Sequence, residues 1–173
     1  MPKLTKADIR RLFELLNEEL ATEDCIGELY LVGGAVMCLT LDARDATRDV
    51  DALFKPVKIV RQAAARVASR LDMPETWLND AVKGFLSPRG NFDTYLELGN
   101  LRVFVAPPTY LLAMKCAAMR LGEEFRDLDD VRYLLRYLNI TKVEDALAIV
   151  TRYFDEDQLP AKTRLALEEL LGD

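Results

Sequence analysis

Two aspartates one residue apart, Asp49 and Asp51, sit inside an otherwise apolar run, Arg48-Asp49-Val50-Asp51-Ala52-Leu53-Phe54. Side chains of a strand alternate between faces, so the two carboxylates share one face and Val50 takes the other. Neighbouring like charges make ionisation costly and raise one pKa. A divalent cation removes that conflict. Oxygen ligands on a half-open surface suit Mg²⁺, or Mn²⁺, bound together with a substrate phosphate. Upstream, the apolar run Leu29-Tyr30-Leu31-Val32 breaks at Gly33-Gly34. A glycine pair lets backbone approach a phosphate closely and can open a helix whose N-terminus favours anions. Asp49 and Asp51 are therefore the candidate metal ligands. Thr47 and the backbone of Gly33 and Gly34 are candidate triphosphate contacts, and Arg44 and Arg48 add positive charge nearby. Chemistry at a phosphate needs mainly such positioning and charge neutralisation. Each half also has a plainer reading: a glycine pair is most often a turn, and Asp-x-Asp is often a solvated strand edge. The combination is more specific, because carboxylates in a core strand need a partner that the local sequence does not supply.

The elements that must position these residues form the order strand, Gly-Gly turn, short helix, charged loop, strand, over 29–54. Before them, Thr5-Lys6-Ala7-Asp8 has the form of a capping box, and Ile9, Leu12, Phe13, Leu15, Leu16 and Leu20 follow at helical spacing. After them, Ile59, Ala63, Val67 and Leu71 mark a second amphipathic helix. Its outer face, with Lys58, Arg61, Arg66 and Arg70, is expected to be solvated, with contact to a phosphate backbone as the alternative. Trp77 is expected to anchor a core. Phe92 to Leu98 and Leu101 to Val105 are expected strands joined at Gly99-Asn100. Four helices should follow, from Pro108, from about Asp127, from a capping box at Thr141-Lys142-Val143-Glu144, and from Pro160. The fold class is thus α/β (α+β), a mixed sheet flanked by helices. Residues 1–106 form the α/β core and 107–173 a helical subdomain packed on it.

The pattern Gly33-Gly34-Ala35-Val36, then Arg44, Thr47, Asp49 and Asp51, resembles the signature of the nucleotidyltransferase (polymerase-beta-like) superfamily. Within it the chain is similar to AbiEii/MenT-type toxins and to a related uncharacterised bacterial nucleotidyltransferase family. Further likeness lies at Trp77-Leu78-Asn79-Asp80, at Pro107 to Arg120 and at Arg126 to Leu135. The resemblance implies a nucleotidyltransferase-like fold, Mg²⁺ (or Mn²⁺) and an NTP substrate. It also implies a toxin–antitoxin setting with a cognate antitoxin, and tRNA as the first acceptor to consider. It makes Lys115 a phosphate-binding active-site lysine and assigns the active-site aspartate of the next helix to Asp130 or Asp127, with Asp130 preferred. On the residues alone, Lys115 is an exposed helix position and Asp127 a first-turn complement to the helix dipole. One departure stands out. Many members of the superfamily carry a third carboxylate on a later core strand, and Leu101-Arg102-Val103-Phe104-Val105 has none.

Composition narrows the chemistry. The chain of 173 residues has no histidine, which removes Ser-His and Cys-His catalysis and His-ligated zinc. Its formal net charge of −6 argues against broad non-specific nucleic-acid binding and keeps a protein acceptor in view beside tRNA. The three cysteines, Cys25, Cys38 and Cys116, are scattered, which fits a reducing compartment. The N-terminus carries no apolar signal region, and no segment approaches the roughly 18 apolar residues of a membrane span. No membrane association and a cytoplasmic location are expected. The leading functional expectation is a metal-dependent nucleotidyltransferase; the alternative is a catalytically impaired nucleotide-binding module acting through a protein partner.

Overall fold

The computed structural model describes residues 3–118 and 126–172, except for the side chains of Phe85, Arg126 and Asp127. By Cα packing the chain divides into two compact units. The first comprises Met1–Gly84 and Phe92–Ala106, and the second Phe85–Asn91 and Pro107–Asp173. The fold is α+β.

The first unit opens with strand β1 (Leu4–Thr5) and helix α1 (Lys6–Thr22). The capping box forms as the sequence predicts. Asp8 N–H donates to Thr5 Oγ1 at 3.2 Å and Thr5 N–H to Asp8 Oδ2 at 2.9 Å. The predicted stripe of α1 is buried throughout, from Ile9 to Leu20. Each such side chain contributes roughly 1.5–3 kcal/mol through burial. Strand β2 (Gly27–Val32) leads into helix α2 (Gly34–Leu39), then to strands β3 (Ala46–Thr47) and β4 (Val50–Lys55). Helix α3 (Val57–Arg70), strand β5 (Leu78–Asn79), strand β6 (Asp93–Glu97) and strand β7 (Leu101–Val105) complete the unit.

The five-stranded sheet runs β5-β4-β2-β7-β6. Strands β4 and β2 are antiparallel, as are β7 and β6, whereas β2–β7 and β4–β5 are parallel. Leu29, Leu31, Val50, Ala52, Phe54, Leu101 and Val103 fill one face, and α1 and α3 pack together over it. Asp51, Leu53 and Lys55 alternate onto the other face, with Tyr30 opposite Leu53 and beside Phe104. Tyr30 and Phe104 stack there with centroids 4.9 Å apart.

One sequence expectation needs correction. The buried stripe of α3 is Val60, Ala63, Ala64, Val67 and Ala68, while Leu71 is 40% exposed because the helix ends before it. The basic side of α3 is exposed at Lys58, Arg61 and Arg70, as expected, with Arg66 half-buried, and its arginines also form ion pairs. Arg66 pairs with Glu19 at 2.9 Å and Arg70 with Glu18 at 3.3 Å, tying α3 to α1, and Arg61 pairs with Asp80 at 2.9 Å.

The second unit holds helices α4 (Pro108–Ala117), α5 (Arg126–Tyr137), α6 (Val143–Tyr153) and α7 (Ala161–Leu171). Helix α4 is apolar nearly all round and packs against α5 and α6, with α7 against α6. The loop Phe85–Asn91 belongs to this unit. Ser87 N–H donates to Tyr110 Oη at 2.9 Å, and Tyr153 Oη to Asn91 Oδ1 at 3.1 Å. The capping box expected at Thr141 does not form. Helix α6 starts one residue later, with Lys142 as its cap, so the Thr141 hydroxyl lies outside the capping position. Cys38 and Cys116 are buried, as the sequence predicts, and burial pushes the Cys116 thiol up to about 12. Among the described residues no helix is long and apolar enough to cross a membrane.

Candidate active site

The site is built where β2 ends. Gly33 caps α2 with φ +71° and ψ −148°, a conformation essentially reserved for glycine. A methyl group on Gly33 would stand 3.2 Å from Asp51 Oδ2. One on Gly34 would stand 2.7 Å from Arg44 Nη1 and 2.8 Å from Thr47 Oγ1. The glycine pair is therefore a close approach as well as a turn: it admits the Asp51 carboxylate on one side and the Arg44–Thr47 loop on the other. Helix α2 has only six residues, so its dipole is small. The backbone of the turn itself, rather than a long helix behind it, is what faces the site.

The loop is pinned from outside the sheet. Strand β3 pairs antiparallel with β1, Leu4 opposite Thr47 and Thr5 opposite Ala46. Thr47 is only 5% exposed, and its hydroxyl donates to the Asp49 carbonyl at 3.4 Å. Arg44 is half-buried and Arg48 exposed.

Asp51 lies within β4, opposite Val32 of β2 and beside Asn79 of β5. The expected strand from Asp49 to Phe54 is one residue too long at its start, because the ladder begins at Val50. Asp49 stands just before it, half-buried. Burial, the largest influence, holds the Asp49 pKa above the ordinary carboxylate value. The polar Asn79 side chain and the charge of Arg48 offset part of that rise. The sheet order shows which strands flank the aspartate strand. The neighbours of β4 are β2 and β5, while β7 pairs with β2 and β6. The side chain that neighbouring strand β5 brings beside Asp51 is thus Asn79, to which the sequence alone assigns no role. Its one signal was the Trp77-Leu78-Asn79-Asp80 run.

The structure brings together Gly33, Gly34, Arg44, Thr47 and Asp51, with Asp49 two residues from Asp51. Lys115 and Asp130 belong to the second unit, where they meet each other. Lys115 Nζ lies 2.9 Å from Asp130 Oδ2, with the side chains 17% and 6% exposed. The expectation that Lys115 is a simply exposed helix position is corrected: it joins α4 to α5. The Asp127 side chain, like Met119 and Arg120, lies outside the described residues.

Among the described residues no group of three or more His, Cys, Asp or Glu is placed to hold a metal ion. The all-oxygen pair Asp49 and Asp51 fits the lighter demand of Mg²⁺ bound with a substrate, which takes one or two carboxylates and completes its shell with phosphate and water. No family model matches the chain, and neither a curated protein nor a solved structure does.

Proposed function

We propose that the chain is a metal-dependent nucleotidyltransferase. The observation that carries this reading is the Asp49/Asp51 carboxylate pair beside a Gly33-Gly34 turn that also receives Arg44 and Thr47. In the reaction, an acceptor hydroxyl oxygen bonds to the α-phosphorus of an NTP. The bond to the bridging oxygen breaks, pyrophosphate leaves and the hydroxyl proton is lost. Mg²⁺ or Mn²⁺ would be held by Asp49 and Asp51 and would supply charge neutralisation at the phosphates. Arg44, beside the turn, adds a fixed cation for phosphate oxygens, and a guanidinium matches their geometry. The Gly33-Gly34 turn gives the triphosphate an approach free of side chains, and Thr47 offers a hydroxyl at the same place. Lys115 and Asp130 join this reading through the resemblance, Lys115 as a phosphate contact.

The acceptor is proposed to be tRNA, with a protein as the alternative. The biological setting is proposed as a toxin component with a cognate antitoxin. A second reading, a nucleotide-binding module without turnover, is favoured by one observation: the strand beside the aspartates contributes the neutral Asn79 rather than a third carboxylate. The test is incubation with Mg²⁺, each α-phosphate-labelled NTP and total RNA, beside an Asp49→Ala/Asp51→Ala control. Label on tRNA-sized RNA that is absent from the control supports transfer. Nucleotide binding without label on any acceptor favours the second reading.

A further inference from the structure

Leu4 takes no part in the chemistry assigned so far, yet it lies next to a residue that does. In the β1–β3 pair Leu4 stands opposite Thr47 and Thr5 opposite Ala46. Residues directly opposite in an antiparallel pair put their side chains on one face. Leu4 and Thr47 are 8% and 5% exposed, whereas Thr5 is exposed and Ala46 half-buried. Leu4 therefore shares the inner face with Thr47, whose Oγ1 closes on the Gly34 turn together with Arg44 Nη1.

Strand β1 is itself held. The Thr5–Asp8 capping box joins it to α1, whose apolar stripe is buried. Lys6 adds an exposed ion pair to the loop, its Nζ 3.7 Å from Asp42 Oδ1. The loop is also tied to α2: β3 packs on that helix, and Ala43 N–H donates to the Met37 carbonyl at 2.9 Å. A ladder of two residue pairs is weak by itself, so the buried Leu4 side chain carries much of the attachment.

We propose that Leu4 is a positioning residue of the candidate active site: from β1 it seats the Arg44–Thr47 loop against the Gly33-Gly34 turn, so that guanidinium and hydroxyl are in place before a nucleotide arrives. The inference rests on the nucleotidyltransferase reading above. Leu4 touches no substrate and acts through Arg44 and Thr47. Ordering those groups in advance removes a cost that binding would otherwise bear.

The test uses the full chain and calorimetric titration with each Mg·NTP, on the wild type, Leu4→Ala, Arg44→Ala and the double variant. Leu4→Val replaces Leu4→Ala should the alanine variant fail to fold. Leu4→Ala is expected to weaken binding by roughly tenfold with Arg44 present, and by much less in the Arg44→Ala background, where a group it positions is gone. A merely structural role would cost the same in both backgrounds. Hydrogen exchange without nucleotide reads the attachment itself: Leu4→Ala should speed exchange at the 42–48 amides and leave the α3 amides protected. Unchanged exchange in the loop, unchanged nucleotide affinity, or an equal loss in both backgrounds would overturn the role of Leu4. A wild-type protein that binds no Mg·NTP would overturn the nucleotide reading itself, whatever the exchange shows.

Discussion

Gly34 shows most clearly how a single residue sets the site. The space a methyl group would need is already filled by Arg44 Nη1 at 2.7 Å and Thr47 Oγ1 at 2.8 Å. Gly34→Ala must displace that loop, at an overpacking cost of about 1–3 kcal/mol. The expected outcome is a folded protein with a lower melting midpoint and Mg·NTP affinity reduced by roughly tenfold or more, read by calorimetry. Asp49 gives a prediction of opposite sign for stability. Its pKa is raised in the folded state, mainly by burial. The folded protein therefore carries a cost that is fully present above the raised pKa and gone below the ordinary carboxylate value. Asp49→Asn should raise the melting midpoint at neutral pH. The gain should shrink as pH falls through the raised Asp49 pKa. A melting series across acidic pH checks it. The same substitution should weaken Mg·NTP binding, a trade of stability for function.

Among the elements, α4 and α5 are tied by a pair that has little water around it. Lys115 and Asp130 are 2.9 Å apart and mostly buried. Removing one partner of such a pair leaves a desolvated charge, at a cost of about 3–5 kcal/mol. Lys115→Ala should therefore lower stability by that order in urea unfolding. Lys115→Met/Asp130→Leu should recover most of the loss. A small effect of the single substitution would mean that the pair contributes little to the packing of α4 on α5. Legibility in the sequence also divides at this scale. The α1 stripe from Ile9 to Leu20, the break at Gly33-Gly34 and the Asp49–Phe54 alternation were readable because each is local and periodic. The order of the strands was not, because pairing is decided by packing between distant segments. Strand β5 is only two residues long and carries no periodicity, so nothing local announces that Asn79 pairs beside Asp51. The ion pairs from α3 to α1 escaped for the same reason: Arg66 and Glu19 are far apart in the chain.

For the whole molecule, the two units divide the candidate residues between them. The α+β unit holds the glycine turn, Arg44, Thr47 and both site aspartates, and the helical unit holds Lys115 and Asp130. The formal net charge of −6 leaves little room for overall attraction to RNA, so the proposed RNA acceptor would have to be recognised through local contacts. As the proposed nucleotidyltransferase, the protein would break an NTP between the α- and β-phosphates and pass the nucleoside monophosphate to an acceptor. The most direct measurement is a paired reaction with Mg²⁺ and total RNA, using NTP labelled at the α-phosphate in one tube and at the γ-phosphate in the other. The expected result is α-label on the acceptor, γ-label in pyrophosphate, and neither with Asp49→Ala/Asp51→Ala. Transfer of the γ-label to the acceptor, or release of pyrophosphate that survives the double substitution, would contradict it.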